Sequence, residues 1–264
     1  MAHYPEDYVP TPRDSRAQRA IRSGYTGPKN NRGEPDTTGT DEIGVMIYPP
    51  NDDAYKLYSG QWKNGEFDGQ GTVIFVDDET YTGGFKDGEL HGHGVYKYSN
   101  GVVREGEFID DVQVSGTLIR SDCTFQGTFL AGMEHTGTFT YTDGIVFTGT
   151  RESETKRVGT VRYPDGDIFS GTFEDWKLNG DDAEMIVNSV SDKFIYKGQM
   201  QNGRKHGIGT MQIMSGPRMG EHYSAKFIRD KEVIKSRVNI PKKGGTRHKI
   251  TRCRRKRLRS SKRR

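Results

Sequence analysis

The 264-residue chain is poor in several residue types, and each shortage excludes a class of protein. Its two cysteines, Cys123 and Cys253, have no metal-ligand spacing, so neither a disulfide framework nor a zinc site is expected. There is no apolar run of about 18 residues and no signal peptide. We therefore expect a soluble intracellular protein whose membrane contacts, if it makes them, are peripheral. Leu, Ile, Val and Phe make up about 19% of the chain, which is little material for one compact core.

Signatures of catalysis are also missing from the sequence. It contains no Gly-x-x-x-x-Gly-Lys-Ser/Thr, no nucleophile elbow and no His-Glu-x-x-His. His91 and His93 lack a visible third ligand for zinc. Paired aspartates such as Asp110-Asp111 fall in connections without EF-hand spacing, and we expect them to be solvated. These absences predict no enzyme activity, no cofactor, no metal and no small-molecule substrate.

Glycine is abundant, and 27 of the 34 glycines fall between Gly60 and Gly220 in phase with aromatic residues. One unit reads Tyr58-x-Gly60-x-Trp62-x-x-Gly65-x-x-x-Gly69-x-Gly71, and the next repeats it from Tyr81. The unit restarts, at spacings of 21 to 27 residues, at Arg104, Phe125, Phe147, Phe169, Tyr196 and, weakly, Tyr223. A period of this length predicts stacked supersecondary units instead of one globule.

This unit resembles the MORN repeat over roughly residues 42–230. The match is specific at Tyr58, Tyr81 and Tyr196, because six fixed positions recur there in order. The resemblance implies a non-enzymatic scaffold or adaptor that binds protein partners, in a cytoskeletal, ciliary or basal-body assembly. A further alternative is an accessory module for an enzyme on another chain.

Several repeats depart from the pattern, and we expect those units to be less regular. In repeat three, Arg104 stands at the first aromatic position, and Asp111 and Ser115 replace glycines. Repeat five has Arg151 at the second aromatic position and Glu154 at a glycine position. Repeat six has Trp176 where a glycine belongs.

Each repeat is predicted to be a β-hairpin, because alternating apolar segments flank dipeptides that favour tight turns. These dipeptides are Asn64-Gly65, Asp87-Gly88, Asn100-Gly101, Asp143-Gly144, Asp165-Gly166 and Asn202-Gly203. A lone hairpin is marginal in water, so the hairpins should join into one elongated, all-β antiparallel meander. Glycines such as Gly60 and Gly83 should let a neighbouring ring lie over bare backbone. At about 4.8 Å per strand, seven to eight repeats would span roughly 70 to 80 Å.

Three segments are predicted along the chain. Residues 1–40 are expected to be a disordered arm, because they contain five prolines and lack strand periodicity. Residues 41–230 form the repeat array, and 231–264 form a basic tail. Within the array, residues 43–48 match the second strand of an incomplete repeat, which would cap the open edge of the sheet.

A row of aromatic side chains is expected to line one face of the sheet. If strand alternation holds, the rings stack on one another first, and those left uncovered form a groove for a peptide or helix of a partner. These candidate partner-binding residues are Tyr58, Trp62, Tyr81, Phe85, Phe125, Phe129, Phe147, Phe169, Phe173 and Tyr196.

The basic tail is a separate candidate site. Residues 1–240 carry a net charge of −9, whereas residues 241–264 contain 13 bases with no acidic and no aromatic residue. The tail could bind the phosphates of RNA or of an anionic membrane, or fold back on the acidic array. Part of it also fits a nuclear or nucleolar signal, which is the alternative to a cytoplasmic, cytoskeletal or ciliary location. Its bases are Lys242, Lys243, Arg247, Lys249, Arg252, Arg254, Arg255, Lys256, Arg257, Arg259, Lys262, Arg263 and Arg264.

Overall fold

The computed structural model describes residues 24–188, 193–233 and 236–240. This part of the chain forms β-strands joined by short turns and contains no α-helix. None of its elements could cross a membrane as a helix. The strands are β1 Tyr25–Thr26, β2 Gly44–Ile47, β3 Tyr55–Lys63, β4 Glu66–Phe75, β5 Thr80–Lys86, β6 Glu89–Lys97, β7 Val103–Ile109, β8 Val112–Ile119, β9 Cys123–Leu130, β10 Met133–Tyr141, β11 Val146–Arg151, β12 Lys156–Arg162, β13 Ile168–Glu174, β14 Lys177–Asn188, β15 Lys193–Gln201, β16 Arg204–Ile213, β17 His222–Ile228, β18 Lys231–Glu232 and β19 Val238–Asn239.

All 19 strands belong to one antiparallel sheet, and each strand from β1 to β17 pairs with the next in sequence. At the far end, β17 pairs with both β18 and β19. The sheet is therefore an open meander of hairpins, which confirms the predicted all-β class and the predicted order of the repeats.

The predicted turn dipeptides are confirmed by their backbone angles. Asn64-Gly65, Asp87-Gly88 and Asn202-Gly203 have positive φ at both residues, as type I′ hairpin turns require. In the other three predicted dipeptides the glycine alone has positive φ. Turns at Asp110-Asp111 and Asp175-Trp176 adopt the same two positive angles without glycine. The hairpins of these divergent repeats thus keep the regular geometry, and the expectation of less regular units does not hold for them.

A line of glycines crosses the sheet at right angles to the strands. Directly opposed pairs run from β2 to β12: Gly44↔Gly60, Gly60↔Gly71, Gly71↔Gly83, Gly83↔Gly94, Gly94↔Gly106, Gly106↔Gly116, Gly116↔Gly127, Gly127↔Gly137, Gly137↔Gly149 and Gly149↔Gly159. The line continues through Gly171 and reappears as Gly198↔Gly209. We call it the glycine seam.

The first ring of each regular repeat lies over the seam. A Cβ atom placed on Gly60 or on Gly83 would come within 2.6 Å of the hydroxyl oxygen of Tyr58 or Tyr81, respectively. The predicted packing of rings over bare backbone is therefore confirmed, and it explains why these positions lack side chains.

The core lies on the ring-bearing face and is divided into three clusters. The first cluster runs from Met46 to Phe108, and the last from Phe147 to Phe227. Between them lies a small cluster of Leu118, Phe125 and Phe129. Aromatic packing is thus continuous at both ends of the array and thin in its middle.

Residues 24–40, which we assigned to the disordered arm, lie against the first strands. β1 pairs with β2, so the strand of the incomplete repeat at 43–48 is present but is not the outermost one. The Thr37 amide donates to the Trp62 carbonyl at 2.9 Å, and the Thr37 hydroxyl accepts the Trp62 amide. This segment covers one edge of Trp62 and belongs with the sheet. The rest of the predicted arm, residues 1–23, lies outside the described residues.

The boundary predicted at residue 231, between the array and the basic tail, also lies elsewhere in the structure. Residues 231–232 and 238–239, which we assigned to the tail, form β18 and β19 and pair with β17. The sheet thus extends to residue 240, where the Ile240 amide donates to the His222 carbonyl.

Candidate functional site

The predicted aromatic face is buried. Nine of the ten candidate rings are buried, and Phe169 is partly buried against the same core. Neighbouring rings cover one another: the Tyr58 and Phe67 rings stack with centroids 3.6 Å apart, and Trp62 meets Tyr58 edge-on. Of the two roles proposed for these rings, the structure supports stacking. An open partner groove formed by these ten residues is not present, because mutual stacking uses the surface that a partner would need.

The second candidate site, the 13 bases from Lys242 to Arg264, lies outside the described residues. It remains a prediction from charge alone.

The middle of the array contains a cavity of about 600 Å³, where the aromatic core is thin. Its lining joins residues from β7 to β12 with Trp176 of the turn between β13 and β14. Five of them are the departures noted in the sequence: Arg104, Asp111, Arg151, Glu154 and Trp176. Residues that break the repeat pattern in three different units are therefore brought together at one place.

Arg104 occupies the first ring position of repeat three and is buried. Its guanidinium donates to the Gln113 side-chain oxygen at 3.1 Å and to the Gly132 carbonyl at 3.3 Å. It also lies over the Phe129 ring, with 5.4 Å between the guanidinium carbon and the ring centroid. The arginine thus replaces the missing ring by a cation–π contact and hydrogen bonds.

Asp111 was expected to be solvated, but its side chain is buried beneath the turn. One carboxylate oxygen accepts the Leu90 amide of the preceding hairpin at 2.8 Å. The carboxylate therefore fastens one hairpin to the next.

A buried carboxylate is shared by two arginines at the cavity wall. Glu134 is 8% exposed, and its two oxygens lie 2.5 Å from Arg120 and 3.6 Å from Arg151. The Arg151 Nε also donates to the Ser153 carbonyl at 3.2 Å. This pairing offsets the cost of burying the Glu134 charge.

Arg157 lies beside this group and stacks on Trp176, with 4.3 Å between the guanidinium carbon and the ring centroid. Trp176 is 45% exposed and meets Tyr141 and Phe147 edge-on. Burial and the neighbouring charge of Arg151 lower the pKa of Arg157, although it stays protonated at neutral pH. Within the described part of the chain, no hydrogen-bond acceptor reaches the guanidinium N–H groups of Arg157.

Exposed apolar side chains adjoin the cavity at two hairpin ends. The cross-strand pairs Ile109–Val112 and Leu130–Met133 flank the turns of repeats three and four. All four side chains are exposed, and Val112 and Met133 line the cavity. We call these four residues the apolar rim.

The chemistry of the cavity suits binding. Burial, followed by the charge of Asp122, raises the pKa of the Cys123 thiol, which keeps it protonated and poorly nucleophilic. Across the described residues, no cluster of three or more His, Cys, Asp or Glu side chains could hold a metal ion. What the cavity offers is a flat aromatic surface, guanidinium groups and an apolar border.

Comparison with known families matches the MORN repeat to residues 58–80, 81–103 and 196–218. These segments are the hairpin units of the open meander that start at Tyr58, Tyr81 and Tyr196. The chain contains three MORN repeats. A search of curated proteins gave no match.

The cavity of this MORN-repeat protein lies wholly between the matched segments, from Arg104 to Trp176. Three of its charged residues, Arg120, Glu134 and Arg157, were not singled out in the sequence. The available signal was the decay of the repeat pattern in this stretch, which we interpreted as irregular structure. The decay of the pattern marks instead the place where charged residues around a cavity replace stacked rings on the ring-bearing face.

Proposed function

We propose that this MORN-repeat protein is a non-enzymatic scaffold or adaptor that organises protein partners along its sheet. The observation that carries the proposal is the unbroken meander from Tyr25 to Asn239, which displays equivalent hairpin positions in a row. Repeats of this family commonly act as protein-binding or membrane-binding scaffold modules. A protein of this shape can hold partners at defined spacing without catalysis.

A cytoskeletal, ciliary or basal-body assembly is the setting that we propose, on the basis of the family resemblance. The array would provide the recognition, and the basic tail would strengthen attachment. Imaging of the full chain and of residues 1–240 in ciliated cells tests this division. We expect both forms at the same cytoskeletal structure, with weaker retention of the shorter form. A diffuse signal from both forms would contradict the proposal.

A second function is favoured by the charge of residues 241–264. Thirteen bases without an acid suit a peripheral membrane tether on anionic lipid, or a structural subunit that binds RNA. Deletion of the tail should then abolish co-sedimentation with phosphatidylserine vesicles or retention of RNA. Each phosphate contact that is lost should lower the slope of log K against log salt by about 0.7 to 0.9. An unchanged slope would leave the tail without a role in phosphate binding.

A further inference from the structure

The cavity between Arg104 and Trp176 can be compared with equivalent places in the same chain. The cross-strand pair beside the inner turn carries opposite charges in the repeats that start at Tyr58, Tyr81 and Phe169, and it is polar in the repeat that starts at Tyr196. These pairs are Lys63–Glu66, Lys86–Glu89, Glu174–Lys177 and Gln201–Arg204. In repeats three and four the same position holds the apolar rim. Exposed apolar side chains do not stabilise a hairpin end in water, whereas a charged pair at this position would keep it well solvated.

The two apolar pairs form one patch. The hairpins β7–β8 and β9–β10 are neighbours in the sheet, because β8 pairs with β9. A Cβ atom placed on Gly132 of the second hairpin would lie 4.0 Å from the Val112 Cγ1 of the first, so the two turns are close neighbours. Since Val112 and Met133 also line the cavity, the patch and the cavity are one continuous surface.

The cavity offers one strong donor beside this patch. Glu134 pairs with Arg120 and Arg151, whereas the Arg157 guanidinium lies over the Trp176 ring and has no hydrogen-bond acceptor within the described residues. A guanidinium held over a ring in this way can bind a carboxylate with little further loss of side-chain conformational entropy. The lining contains four arginines and four carboxylates and so has no net charge. It favours a single carboxylate placed at Arg157 over a uniformly anionic surface such as a membrane, which would also face the exposed Asp122 and Glu154.

We propose that this surface binds a segment of a partner protein in which one acidic residue lies among apolar residues. The acidic side chain pairs with Arg157 inside the cavity, and the apolar side chains cover the rim. A free small anion could satisfy Arg157 but would leave the rim exposed. The chain's own basic tail has the wrong charge for Arg157. The inference rests on the proposed scaffold function, because it specifies where and how one partner is recognised.

The test starts from a random-peptide phage library selected on the full-length protein. We expect enrichment of peptides with one Asp or Glu flanked by apolar residues. Fluorescence polarisation of the most enriched peptide should then show at least about tenfold weaker binding to Arg157→Gln, equivalent to about 1.4 kcal/mol. The matched control is Arg162→Gln on the same strand, where the side chain is exposed and outside the cavity. That control should bind the peptide like the unmodified protein.

The double variant Leu130→Lys, Met133→Glu tests the rim without threatening the fold, because it introduces a charged pair of the kind found in the repeats that start at Tyr58 and Tyr81. The double variant should also bind the peptide at least about tenfold more weakly, while the melting temperature of the protein is unchanged. If Arg157→Gln unfolds, Arg157→Lys replaces it, since Lys keeps the charge but cannot reproduce the flat stack or the paired donors.

Several outcomes would overturn the inference. They are the absence of enrichment, enrichment of basic or purely apolar peptides, and equal binding by the cavity and rim variants. Sedimentation that shows a dimer of the unmodified protein and a monomer of the rim variant would assign the surface to a second copy of the chain. If the peptide test fails while residues 1–240 still reach their assembly in cells, the scaffold proposal stands and only this surface is misassigned.

Discussion

The first tyrosine of each regular repeat makes the same hydrogen bond. The hydroxyls of Tyr58, Tyr81 and Tyr196 donate to the carbonyl three residues further along, at 2.8, 3.0 and 2.7 Å. The bond holds the ring flat across the glycine seam, and it satisfies a hydroxyl that would otherwise be buried without a partner. Phe125 and Phe147 keep the ring without this bond, so shape is the stricter requirement at this position.

Burial gives the Tyr196 hydroxyl a pKa of about 12, compared with about 10 when the chain is unfolded. Between these values the unfolded chain releases a proton that the folded chain keeps, so stability falls as the pH rises from about 10 to 12. Tyr196→Phe should remove this contribution and make the alkaline loss of stability less steep. Urea unfolding measured at several pH values checks this, and an unchanged pH profile would contradict it.

A methyl group on the seam should be costly. The Cβ of Gly83→Ala would lie 2.5 Å from the Gly94 Cα and 2.6 Å from the Tyr81 hydroxyl oxygen, and neither backbone nor ring can easily move. We expect a loss of about 2 kcal/mol in the free energy of unfolding. Gly101→Ala is the control, because no atom lies within 4 Å of its Cβ and only the cost of φ +86° remains. A smaller loss for Gly83→Ala than for Gly101→Ala would show that the seam is not tightly packed.

At the scale of the hairpin, the turn angles can be tested directly. Asp87 and Gly88 have φ of 47° and 85°, and a β-branched residue is strained at the second angle. Gly88→Val should therefore destabilise the protein by about 1 kcal/mol or more. Thr82→Val, on an exposed strand position, should change stability by less than about 0.5 kcal/mol. Equal melting shifts for the two variants would argue against the turn assignment.

The hairpins could be predicted because their signals are local. Asn-Gly and Asp-Gly turns, alternating residues and the glycine opposite each ring all lie within one repeat. The turns at Asp110-Asp111 and Asp175-Trp176 lack the glycine that marks the other turns, although their residues also have positive φ. Backbone hydrogen bonds to the neighbouring hairpins, from the Asp111 amide to the Leu90 carbonyl and from the Asp175 amide to the Thr155 carbonyl, are not visible in the sequence. Alternation also showed which rings share a face. It could not show that those rings cover one another, since that depends on side-chain directions across four or more strands.

The cavity was beyond sequence analysis for a related reason. Arg104, Glu134 and Trp176 are far apart in the chain and line one cavity only once the register of the strands from β7 to β13 is known. Each departure from the pattern was visible on its own, but their convergence was not.

For the whole molecule, an open meander predicts an elongated particle. A compact globule of this length would have a radius of gyration near 18 Å. Small-angle scattering of residues 24–240, which removes the arm and the tail, should give a clearly larger radius and a rod-like distance distribution. A value near that of a globule would mean that the array folds back on itself.

The glycine seam limits how such a chain can change in length. Spacings between repeats vary from 21 to 27 residues, yet Gly198 still faces Gly209, as Gly60 faces Gly71. Extra residues are accommodated at hairpin ends and bulges, away from the seam. Duplication or loss of a whole repeat therefore preserves the alignment, whereas an insertion of one residue beside the seam would place a side chain under the next ring. The protein can be lengthened only in whole steps, so evolution would adjust the distance between its partners in units of one hairpin.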